Sequence, residues 1–63
     1  MNEDVLNMAL RKFLKEVGVT SQREVEKAVN AAKKTSGKVR LRAHITSPDV
    51  PLDHVVERDI ELG

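Results

Sequence analysis

The side chains best equipped for chemistry lie in the second half of the chain, where His44, Asp53, His54 and Glu57 stand close together in the sequence. Two imidazoles and a carboxylate can hold zinc or iron. The tight His-x-x-x-His spacing of many such sites is missing, and the plainer reading is a surface histidine beside a carboxylate. No metal ligand, catalytic residue or cofactor contact is therefore assigned. Nucleophilic catalysis has no support, since there is no cysteine and no Gly-x-Ser-x-Gly elbow. The glycines, Gly18, Gly37 and Gly63, do not make a phosphate-binding loop. Acid–base catalysis lacks the enclosed carboxylate it needs. The expectation is a protein that is not an enzyme and carries no cofactor.

Two further patterns bear on binding. Lys33, Lys34, Lys38, Arg40 and Arg42 form a basic cluster that could displace counterions from nucleic acid, or could be a solvated strand face neutralised by an acidic neighbour. The stretch GVTSQREVEKAV, residues 18–29, looks like the turn and second helix of a helix-turn-helix. Beyond the turn that match fails. With Gly18 as the turn glycine, the motif requires apolar residues at Glu24 and Lys27, and the chain places its own one position later, at Val25 and Ala28. The helix start is also acidic, at Glu24 and Glu26, where it would face phosphate.

The elements that must position these groups follow from periodicity. Residues 3–17 read as a helix capped by Asn2, with Glu3 and Asp4 where the helix dipole favours negative charge. Val5, Leu6, Ala9, Leu10, Phe13, Leu14 and Val17 cover nearly half its circumference, an arc wide enough to pack against two surfaces. Gly18 is expected to end it at the C′ position. Ser21-Gln22-Arg23-Glu24 reads as a capping box that starts a second helix, about 21–34. Its stripe of Val25, Ala28, Val29 and Ala32 is expected to lie on the first helix. From Lys38 the pattern alternates, so residues 38–46 and 54–62 read as strands of a hairpin broken by Pro48 and Pro51. Pairing Val39 with Leu62, Leu41 with Ile60 and Ile45 with Val56 aligns the apolar faces. The same pairing sets Arg40 against Glu61, Arg42 against Asp59 and His44 against Glu57, with Arg58 opposite Ala43 on the apolar face.

The chain has 63 residues, 33% of them charged, 40% hydrophobic and a formal net charge of +1. A nearly balanced charge argues against a dedicated polyanion binder, and the single aromatic residue, Phe13, against a stacking platform for single strands. The acidic start and the lack of a long apolar run indicate neither a secretory signal nor a membrane span, so a cytoplasmic protein is expected. So short a chain without disulfides is marginal alone and often gains stability by associating.

The segments NEDVLNMALRKFLKEVGVTSQREVEKAV and HVVERDIEL, residues 2–29 and 54–62, resemble a small bacterial family of unknown function. That resemblance implies a bacterial intracellular protein and brings no activity, cofactor or site residue.

The expected fold is α+β: a helix-turn-helix pair packed on a C-terminal antiparallel β-hairpin, in the order α-α-β-β, completed by dimerisation. It forms one domain over residues 1–63. The expected function is a non-catalytic, self-associating protein-interaction module acting as a homodimer, with an unidentified protein partner and no membrane contact. Its contact surface would draw on Leu6, Leu10, Phe13, Leu14 and Arg58. The alternative is a helix-turn-helix-like nucleic-acid-associated regulator using Arg23, Lys27, Lys33, Lys34 and Arg40.

Overall fold

A computed structural model describes all of residues 1–63. A single helix, α1, runs unbroken over Glu3–Ala31. Two strands follow, β1 at Lys38–Thr46 and β2 at Asp53–Glu61, paired as an antiparallel hairpin. The class is α+β, but the order is α-β-β. The expected helix pair, 3–17 and 21–34, is one helix, and there is no turn at Gly18.

The continuity has a physical cause. Leu6, Leu10, Phe13, Val17, Ser21, Val25, Ala28 and Ala32 succeed one another at steps of three or four residues. One stripe therefore passes Gly18 without a change of phase. Gly18 keeps a negative φ, since the positive-φ glycines are Gly37 and Gly63. The residues in and beside the expected capping box serve the middle of the helix. The Thr20 hydroxyl donates back to the Glu16 carbonyl at 2.7 Å. Gln22 Nε2 donates to Glu26 Oε1 at 3.0 Å, and Lys27 Nζ meets Glu24 Oε2 at 3.2 Å. A glycine inside a helix costs about 1 kcal/mol relative to alanine, too little to break a helix propagating well on both sides. Gly18→Ala is accordingly expected to stabilise the protein by about 1 kcal/mol, because a Cβ there meets nothing within 4 Å. Chemical denaturation reads the difference; a loss of stability would restore a left-handed turn glycine at this position.

Both ends of α1 are capped. Asn2 Oδ1 accepts from the amides of Asp4 and Val5 at 3.0 and 3.2 Å, as expected for this residue. At the other end Lys33 takes a left-handed conformation with φ 57°. Its amide donates to the Asn30 carbonyl, and the Lys34 amide donates to the Val29 carbonyl. That is a Schellman motif built on a lysine instead of a glycine, and it stops the helix three residues short of Lys34. Gly37, with φ 84°, then turns the chain into β1.

The hairpin keeps the expected faces and shifts the register. Val39 pairs with Ile60, Leu41 with Arg58, Ala43 with Val56 and Ile45 with His54. On the other face Lys38 pairs with Glu61, Arg40 with Asp59, Arg42 with Glu57 and His44 with Val55. Each partner lies two residues from the expected one. Hydrophobic and charge alternation both repeat every two residues, so a slip of two satisfies both patterns equally. The connection decides between them. Ser47 Oγ accepts from the amides of Asp49 and Val50 at 3.0 and 3.3 Å, and the Leu52 amide donates to the Val50 carbonyl at 2.8 Å. This folds the proline-containing segment tightly enough to close on the Thr46–Asp53 pair.

The helix lies along the apolar face of the hairpin. Leu62 lines a shallow pocket with Val25, Val29 and Asn30, which sets the strand ends beside the C-terminal end of α1. Twenty-nine helical residues span about 43 Å and nine strand residues about 30 Å. The N-terminal turns of α1 therefore project beyond the hairpin, and the molecule measures 47 × 20 × 18 Å. The stripe of Val25 and Val29 faces the hairpin; with one helix in the chain, it has no first helix to lie on.

Candidate functional site

Between α1 and the hairpin runs an open groove of about 540 Å³. Phe13, Val17, Ser21 and Val25 form its helical wall, one residue per turn. Leu41, Ala43 and Ile45 of β1, with Val56 and Ile60 of β2, form its floor. The alternation of β1 puts every second side chain on this floor, and β2 supplies its own in the same way. Arg58 stands in the floor opposite Leu41, the one charged side chain that the strand alternation places on the apolar face near its middle.

The groove is only partly covered from within. Val17, Val25, Leu41 and Ile45 are half-buried, and no residue in the chain is buried outright. Beyond the groove the stripe continues onto the overhang, where Leu6 and Leu10 remain 39% and 46% exposed. Phe13 and Leu14 are half exposed, at 51% and 50%. The residues chosen from sequence as a contact surface thus form one continuous apolar face with the groove. Sequence reasoning missed Ser21, Val25 and the β1 floor as parts of it, because the assumed turn at Gly18 pointed residues 21–29 elsewhere. The unbroken phase of the stripe was the available signal.

The opposite face of the hairpin is an ionic surface. Arg40 Nε reaches Glu57 Oε2 at 3.0 Å, and its Nη1 reaches Asp59 Oδ1 at 3.1 Å. Arg42 Nε lies 3.4 Å from Glu57 Oε1. These pairs are solvent-exposed, so each adds roughly 0–1 kcal/mol. The basic strand is neutralised by the acidic strand beside it. Arg58 has no ion pair here: its Nη1 donates to the neighbouring Glu57 carbonyl at 2.8 Å.

The remaining sequence candidates are scattered. His44 Nε2 contacts Asp53 Oδ1, not Glu57 as the expected register had it. His54 is on the other face of the hairpin, and no three His, Asp or Glu side chains converge as metal ligands would. Arg23 and Lys27 lie along the second half of α1, with Lys27 paired to Glu24. Lys33 and Lys34 occupy the turn after the helix, and Arg40 is engaged with Glu57 and Asp59. A helix-turn-helix needs a separate second helix to enter the major groove. The unbroken α1 does not present that geometry.

A long helix laid on a two-stranded hairpin, with an apolar groove between them, defines a small α+β domain. The chain belongs to a family of unknown function (DUF6494), whose model matches residues 1–63. No curated protein and no solved structure matches it. No helix is long and apolar enough to cross a membrane.

Proposed function

We propose that this protein is a non-catalytic, self-associating interaction module whose folded form is a homodimer. The observation that carries the reading is the exposed area. The chain leaves 5900 Å² accessible to solvent, whereas a compact monomer of this mass exposes about 4,000 Å². Its radius of gyration is 15.2 Å, against about 10.6 Å for a compact chain of this length. Two copies that each covered the excess would bury about 3,800 Å² between them, within the range of about 2,000–5,000 Å² for obligate homodimers.

The chemistry of the excess surface supports the same reading. Leu6, Leu10, Phe13 and Leu14, all exposed, lie on one apolar stripe continuous with the groove, whereas the ion pairs of the hairpin gather on its opposite face. Exposed apolar patches beyond a few hundred Å² mark contact sites on soluble proteins. The two-stranded sheet adds a second reason, since an isolated hairpin is marginal in water. A second copy completes the missing core.

Light scattering during gel filtration tests the proposal. The expected mass is twice the 7.0 kDa of the chain at micromolar concentration. A folded protein at the single-chain mass under those conditions would contradict it.

A further inference from the structure

We infer that the two copies meet through antiparallel α1 helices, with the acidic first turn of each reaching Arg58 in the groove of the other. The inference rests on the self-association proposed above and assigns its geometry.

The free apolar block on α1 extends from Leu6 to Val17, so an antiparallel pair covers it most fully when the two-fold axis passes midway, between Arg11 and Lys12. Leu6 then faces the partner's Val17, and Leu10 faces the partner's Phe13. The same symmetry brings the first turn level with the partner's Val19 and Thr20, with Glu3 at the edge of the apolar face. Ser21, directly after those two residues, shares the groove with Arg58. The overhang that projects past one hairpin thereby closes the groove of the other copy.

Charge supports this placement. Covering Arg58 without a carboxylate would strand a cation in an apolar groove, which is strongly unfavourable. The acids of its own hairpin lie on the opposite face, where Glu57 is held by Arg40 and Arg42, Asp59 by Arg40 and Asp53 by His44. Glu3 and Asp4 make no ion pair within the chain, and the Asn2 cap holds them in a fixed first turn. A parallel pair would set the two acidic turns side by side and leave both arginines unmatched.

A charge exchange combined with cysteine crosslinking tests the geometry in the full chain. Arg58→Glu alone, and Glu3→Arg with Asp4→Arg, are each expected to weaken dimerisation at least tenfold in sedimentation equilibrium; all three together should return it to within about threefold of the starting protein. The chain has no cysteine of its own, so a single introduced thiol reports cleanly. Leu10→Cys, near the axis, should form a disulfide-linked dimer on oxidation, and Leu6→Cys, far from it, should not. Crosslinking through Leu6→Cys would indicate a parallel pair, and a dimer indifferent to the charge changes would place the contact elsewhere. Either result overturns this geometry and leaves self-association standing. A single-chain mass for the unaltered protein would overturn both.

Discussion

Phe13→Asp is expected to separate the two copies of the proposed homodimer. Phe13 is the single aromatic residue of the chain and is 51% exposed at the junction of overhang and groove. Burying the rest of its ring contributes about 2 kcal/mol per copy at roughly 25 cal/mol per Å². A symmetric contact counts it twice, so its loss weakens association roughly a thousandfold. The aspartate adds the cost of desolvating a carboxylate among apolar side chains, which makes the thousandfold a lower bound. Lys15→Asp is the control, since Lys15 lies across the helix from the apolar stripe and should leave the mass in solution unchanged. If Phe13→Asp remained dimeric, the contact would move from α1 to the free edges or polar face of the hairpin.

The second large effect concerns the middle of the helix. Gly18→Pro should cost about 3 kcal/mol or more. Proline removes the amide that bonds the Leu14 carbonyl one turn earlier, and its ring collides with that carbonyl. It would also kink the stripe between Val17 and Ser21, where the groove wall is continuous. Circular dichroism should record lost helicity together with lost dimer. A turn at this position would absorb a proline far more readily, so an unperturbed Gly18→Pro protein would contradict the single helix. Together with the gain expected for Gly18→Ala, the two substitutions at one residue have opposite signs, which a nonspecific effect does not produce.

Much of the fold was legible wherever one pattern had one structural solution. Asn2 with Glu3 and Asp4 marks a helix start, and Asn2 caps it as expected. The switch from helical to alternating spacing at Lys38 places β1 at its observed ends, and β2 begins one residue earlier than alternation indicated. Errors arose where two solutions share a pattern. Gly18 followed by Ser21 and Glu24 has the composition of a stop and a start, yet the same residues fit inside a helix at small penalty. Local capping signals weigh about 1 kcal/mol each, less than the continuous face that Val17, Ser21 and Val25 present to the hairpin. The strand register failed for a different reason: a two-residue slip preserves every face and nearly every charge pair. Only the fold of the Ser47–Leu52 connection separates the two registers, and its hydrogen bonds are not visible in composition.

The contact surface was legible in part for a related reason. Leu6, Leu10, Phe13 and Leu14 form an arc too wide for one partner, and all four stay at least 39% exposed. Arg58 broke the alternation of its strand, and it sits on the apolar face without an ion pair. The groove itself was hidden because its walls come from elements whose mutual placement depends on the unbroken helix. Lys33 gave no warning of the left-handed turn that stops α1, because that conformation usually selects glycine.

The central claim is that folding and self-association are one event. Thermal unfolding followed by circular dichroism over a roughly hundredfold range of protein concentration tests it directly. If the folded state is a dimer with no stable folded monomer, the midpoint should rise by about 10 °C from the lowest to the highest concentration. A midpoint independent of concentration would show a chain that folds alone, and would contradict the account.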